Sequence, residues 1–235
     1  MNNLNIRREA GRIILLTIFM VLVLMMMAGC DENGGITIPS GSSNVALSMK
    51  SDESVMTNPV VLTITEAKAL VKEVGFEKPT GTTNLIGMGT FVVNFALDGT
   101  VKEMQSGYTV RDIYTKFKFQ LHKPDETETP ADPEFKDGPA DNQRYSFIVK
   151  GIYNGTPFVY KSKNPANVVL DFGKEENINL ANVNITLLFN SSQWFKNGAN
   201  YINPSESVNE PVIDNNLKMS FRTAFRDDNK DGNPD

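Results

Sequence analysis

The chain has 235 residues, a formal charge of −5, a single histidine and a single cysteine. One histidine excludes multi-histidine zinc sites, and one cysteine excludes internal disulfides, so stability has to come from a packed core. The mildly acidic balance lacks the basic face that nucleic acid demands, which argues against nucleic acid as a partner.

Arg7, Arg8 and Arg12 precede an uncharged apolar run over 13–28, and the run ends in Met27-Ala28-Gly29-Cys30. Positive charge, then an apolar stretch, then small residues is the pattern of an export signal. The stretch also falls somewhat short of the ~20 apolar residues that a spanning helix needs. Cysteine directly after Ala28-Gly29 resembles the bacterial lipoprotein signal peptide, although Met27 stands where that family usually carries leucine. The resemblance implies a leader over 1–29, cleavage before Cys30, diacylglycerol on the Cys30 sulfur and acylation of the new amino group. It implies a lipid-anchored protein of the cell envelope, facing the periplasm or the cell exterior, with the membrane as partner through Cys30. Residues 30–44, rich in glycine, serine and small polar side chains, read as a flexible tether.

From 45 to 226 the chain reads as one β-sandwich domain. Val45, Leu47 and Met49 alternate with polar neighbours, as do Leu62 and Ile64 in the stretch 60–65. Residues 66–77 fit both a helical face and a continued strand, and the β-rich surroundings favour the strand. Phe91, Val93, Phe95 and Leu97 form one face of the next strand. Asp98-Gly99 predicts a hairpin returning over 100–105. In 114–122, Phe117, Phe119 and Leu121 face one way, which leaves His122 on the polar side as a surface histidine without a special role. The segment 123–143 is acidic and proline-bearing, with almost no apolar anchors. It reads as a solvated flexible loop, the sharper alternative being a lip that binds a partner or a cation.

Asn154-Gly155 predicts a hairpin between strands over 145–153 and 157–162. Further strands follow at 167–172 and 182–189. The sole tryptophan, Trp194, is expected in the core, with a sugar-stacking platform as the alternative. Ile213, Leu217, Phe221 and Phe225 at steps of four, with Pro211 near the start, predict one amphipathic helix over 211–225. Many alternating strands without βαβ order and a single helix give a mainly β fold class: an antiparallel β-sandwich with one C-terminal amphipathic helix.

The last nine residues read Asp227-Asp228-Asn229-Lys230-Asp231-Gly232-Asn233-Pro234-Asp235. Oxygen side chains at alternate positions, with glycine sixth, suit a hard cation that takes six to eight oxygens. The stretch resembles the calcium loops of thrombospondin type-3 repeats and, less closely, those of dockerins and EF-hands. That resemblance implies Asp227, Asn229 and Asp231 as side-chain ligands, Asn233 through its carbonyl, and Asp235 directly or through water. It departs from the EF-hand in lacking the bidentate glutamate of the twelfth position. The plainer alternative for 227–235 is a frayed acidic tail.

No phosphate loop, nucleophile elbow, zinc-helix motif or dinucleotide fingerprint is present in the sequence. Two function classes stand. One is a non-catalytic binding or structural module of the envelope, calcium-stabilised, with a protein or glycan ligand. The other is a carboxylate-dependent envelope enzyme such as a glycoside hydrolase, which needs two carboxyl groups ~5–10 Å apart in a cleft.

Overall fold

The computed structural model describes residues 39–51 and 61–235. The leader 1–29, Cys30 and the first part of the tether lie outside the described residues. Thirteen strands and one helix follow in order among the described residues. They are β1 (Ser42–Ser51), β2 (Leu62–Glu77), β3 (Thr83–Leu85), β4 (Phe91–Asn94), β5 (Lys102–Val110), β6 (Asp112–Leu121) and β7 (Phe147–Tyr153). Then come β8 (Thr156–Ser162), β9 (Ala166–Ile178), β10 (Asn182–Phe189), β11 (Lys196–Asn197), β12 (Asn200–Tyr201), α1 (Glu210–Met219) and β13 (Phe221–Arg226). β1 begins inside the segment read as tether.

Two main sheets form a sandwich. One has four strands in the order β13-β10-β1-β5. The other has seven, running β8-β7-β2-β6-β9 with β3 and β4 also on β2. The pairings are antiparallel except that of β1 with β10, which run parallel. Alternation explains the packing: Val45, Leu47 and Met49 of β1 and Val183, Ile185 and Leu187 of β10 point inward. They meet Phe117, Phe119, Phe147 and Val149 of the opposite sheet in one core. Aromatic rings tie the layers together, with Phe119 and Phe221 centred 4.9 Å apart and Phe95 and Phe189 also 4.9 Å apart.

The strand reading of 66–77 holds, because β2 continues to Glu77 with a register shift between Lys72 and Gly75. Glu73 takes a φ of 54° at that irregularity. The Asn154-Gly155 hairpin holds too, both residues having positive φ as a primed turn requires. Trp194 is fully buried against Phe95, Phe147 and Phe189, which settles it as core and removes it as a sugar platform. Among the described residues its indole nitrogen has no hydrogen-bond partner.

Other expectations fail. The Asp98-Gly99 turn forms, with Thr100 donating to the Asp98 carboxylate, but it does not close a hairpin. β4 stays on β2, and β5 crosses to β1 in the other sheet. The sequence signal specifies the bend and is silent on which edge receives the next strand. The helix also ends early, at Met219, with Ser220 Oγ donating to the Leu217 carbonyl, after which Phe221–Arg226 pairs with β10. A free sheet edge and the β-favouring Phe, Thr and Phe outweigh the four-residue spacing. A further failure is the solvated loop.

Residues 123–146 are an ordered strap folded onto the outer face of the seven-stranded sheet. Phe135 is its anchor, fully buried with Tyr145 against Leu70, Ile148 and Val92. Two short 3-10 turns (Pro133–Phe135 and Asp141–Gln143) and a bridge between Lys136 and Arg144 shape it. His122 does point outward, yet the strap covers it, so it is buried rather than a surface residue. Its Nε2 lies 2.7 Å from Glu128 Oε2.

Candidate functional site: the aspartate loop

The outward positions of β1 and β10 are unusually polar: Ser48, Asn184 and Thr186 are all buried there. They are covered by 227–235, which turns back over the four-stranded sheet directly after β13. A carboxylate at the start of the loop satisfies this buried polar face. Thr186 Oγ1 donates to Asp227 Oδ2 at 2.6 Å, and Asn184 Nδ2 donates to the Asp227 carbonyl at 2.9 Å. Ser48 Oγ in turn donates to Asn184 Oδ1 at 2.8 Å. Asp227 itself has no exposed surface. The expected ligand at the head of the loop is therefore also its structural root, and a frayed tail is not what the chain forms here.

Inside the loop, side-chain oxygens curl around main-chain amides. The Asp231 N–H is shared by Asp227 Oδ1 at 3.0 Å and Asn229 Oδ1 at 2.9 Å. The Gly232 N–H donates to Asp227 Oδ2 at 3.0 Å. Asp231 Oδ1 accepts from the Asn233 N–H at 2.8 Å and from its Nδ2 at 3.1 Å. Asp235 goes elsewhere: its Oδ2 accepts the Asp228 N–H at 2.6 Å, closing the loop. Gly232 has a φ of +81°, and a Cβ there would stand 2.6 Å from Lys50 Nζ and 2.8 Å from Val101 Cγ2. The lysine is close because it donates to the Gly232 carbonyl at 3.2 Å. Glycine is thus required both for the turn and for the approach to the sheet.

For a calcium ion the donor chemistry fits in part. Asp227 and Asn229 bring side-chain oxygens together on the Asp231 amide, close enough to share a cation, while the Asp231 carboxylate is turned to Asn233. Asn233 is held to Asp231 but presents its nitrogen atoms there. Asp227 Oδ2 and Asp235 Oδ2 are already engaged by protein donors. Among the described residues, no three acidic, histidine or cysteine side chains form a metal-holding cluster. Asp228, not among the expected ligands, accepts from Arg226 Nε at 2.7 Å and from the Asn184 N–H, bracing the loop against β10.

The sequence reading missed the polar residues beneath the loop and the lysine beneath the strap. Asn184 and Thr186 were legible only as alternation; nothing in that pattern tells a polar face in water from one covered by the chain's own end. Lys68 is buried under Phe135, bonded to Asp132 and, at 2.5 Å, to Glu134 Oε2. Burial pulls its pKa down, but the bonds to those two carboxylates outweigh it and the pKa is raised. The same bonds, with one from Lys150, hold the Glu134 carboxyl down at about 2.

No protein-family model matches the sequence, and no curated protein matches it. Among solved structures, MbnP from Methylosinus trichosporium aligns over 71% of this chain and 81% of its own, with 9% identity and a TM-score of 0.45. That likeness is too slight to bear on function.

Proposed function

We propose that the protein is a cell-envelope lipoprotein whose β-sandwich is a non-catalytic binding or structural module, tethered through lipid on Cys30 and stabilised by calcium in 227–235. The observation that best supports the module is the state of its carboxylates. Among the described residues, seven carboxyl groups are held below their usual range: Glu77, Asp98, Asp112, Glu128, Glu134, Asp137 and Asp141. Lysine partners cause most of these shifts, as Lys116 and Lys118 do for Glu77 and Lys161 for Asp137. Carboxylates committed to ion pairs in this way brace the fold, as they do in a scaffold. Calcium would be held by Asp227, Asn229 and Asp231, with the Asn233 carbonyl and Asp235 or water completing the shell. Its role there is electrostatic: it neutralises the loop's acidic side chains and fixes the end of the chain to the sheet.

The lipid reading is tested by intact mass measurement of the protein extracted from its host's membranes. A mature chain beginning at lipid-modified Cys30 is expected, and an intact leader or an unmodified Cys30 thiol rejects it. Titrating calcium into the same detergent-solubilised protein should release heat and raise the melting temperature. Asp231→Ala should abolish both effects, and equal responses from the two proteins reject the loop as the binding site.

A further inference from the structure

The strap 123–146 is attached by a mechanism different from the one that holds the sandwich. Its apolar contacts form a small cluster of Leu70, Phe135, Tyr145 and Ile148, separate from the main core. Ser146, where the strap joins β7, is held by main-chain bonds to Leu70 and Ser162, and most of the remaining attachment is charge. Facing its carboxylates from β2 are Lys68, Lys72 and the like-charged Glu66; from β7, Lys150; from β8, Lys161. The strap's own Lys123 and Arg144 hold Asp141, its Lys136 donates to the carbonyls of Glu126 and Glu128, and His122 at its root meets Glu128. Tyr145 Oη donates to Asp137, which also takes Lys161 at 2.8 Å.

We propose that residues 123–146 form a latch that opens as a unit in acid, when its carboxylates lose their charge, while the sandwich beneath stays folded. Segments with few apolar contacts and their own small cluster open at lower free energy than the core they cover. The pH sense follows from the direction of the shifts. Carboxyl groups held below their free values stabilise the closed latch above ~pH 4.5 and lose that contribution as pH falls through their lowered values. Glu134, the most displaced, carries this down to about 2. Opening uncovers Leu70 and Ile148 together with Lys68, an apolar patch ringed by lysines.

The test is amide hydrogen exchange on the full-length protein in detergent, corrected for the intrinsic pH dependence of exchange. Each unit of pKa displacement is worth ~10-fold in an opening equilibrium, and the half-exposed setting of Glu134 discounts its full shift, so a rise of ~10-fold is expected between about pH 7 and about pH 3. It should run through the peptides within 123–145 together, with β6 and β7 unchanged. Lys68→Met should loosen the latch at neutral pH and shrink the acid response, because Asp132 loses its lysine and Glu134 keeps only Lys150. Glu134→Gln, which leaves Lys68 paired with Asp132, is the milder variant and should flatten the acid response. Exchange of 123–145 in step with β6 and β7 at every pH overturns the proposal. So does an acid response in Glu134→Gln equal to that of the parent.

Discussion

Two segments cover the outer faces of the sandwich, and they do so by different physics. The strap lies on the seven-stranded sheet through one phenylalanine and a set of ion pairs, most of which keep at least one partner partly exposed around the buried Lys68. The aspartate loop lies on the four-stranded sheet through a buried hydrogen-bond network centred on one dry carboxylate. Half-exposed ion pairs contribute little each and are screened by salt. A buried acceptor whose removal leaves several donors stranded costs far more. The strap is therefore the separable cover, and the loop is part of the fold.

Asp227→Ala breaks the comparison hardest. It strands Thr186 Oγ1 and the Gly232 amide, at ~1–3 kcal/mol each where they stay dry, and leaves the Asp231 amide to Asn229 alone, so a global loss of ~3–5 kcal/mol is expected by urea unfolding. Next comes Phe135→Ala. A buried phenylalanine truncated in a core costs ~3–5 kcal/mol, but here the loss should appear as protease cleavage within the strap, with the main unfolding transition almost unmoved. A drop in that transition as large as the one for Asp227→Ala would erase the distinction. Gly232→Ala combines positive φ with crowding against Lys50 and should cost ~1–2 kcal/mol in global stability. Smallest is salt: ~1 M sodium chloride should speed cleavage within the strap severalfold and leave the loop's protection unchanged.

The sandwich was legible in the sequence because its inward residues alternate without a break, as in Phe117, Phe119 and Leu121. Where the chain goes after a turn was not, since Asp98-Gly99 encodes a bend and carries no information about which sheet edge is vacant. Phe221 and Phe225 misled because their four-residue spacing mimics one helix face, whereas a register shift in β13 sets Phe221 opposite inward Phe189 and Phe225 opposite outward Thr186. The loop's residues were legible as a motif, but their anchor was not, because Thr186 and Asn184 lie more than 40 positions from Asp227. The strap was misread because a single phenylalanine among acidic residues carries little pattern, although one buried ring and a lysine beneath it are enough to order the segment.

The parallel pairing of β1 with β10 joins residues 138 positions apart, such as Asn44 and Asn182. Contacts so remote along the chain are slow to find, because the intervening segment must be brought to order before they reward it. The first strand can take β5 as a neighbour early, yet its second edge stays open until nearly the whole polypeptide has emerged. Refolding should therefore be slow for this size, in the ~ms–s class of non-local β proteins, with amides bridging β1 to β10 the last to gain protection in pulse labelling. An exposed edge in that interval is a template for another molecule, so the yield of native protein should fall as refolding concentration rises.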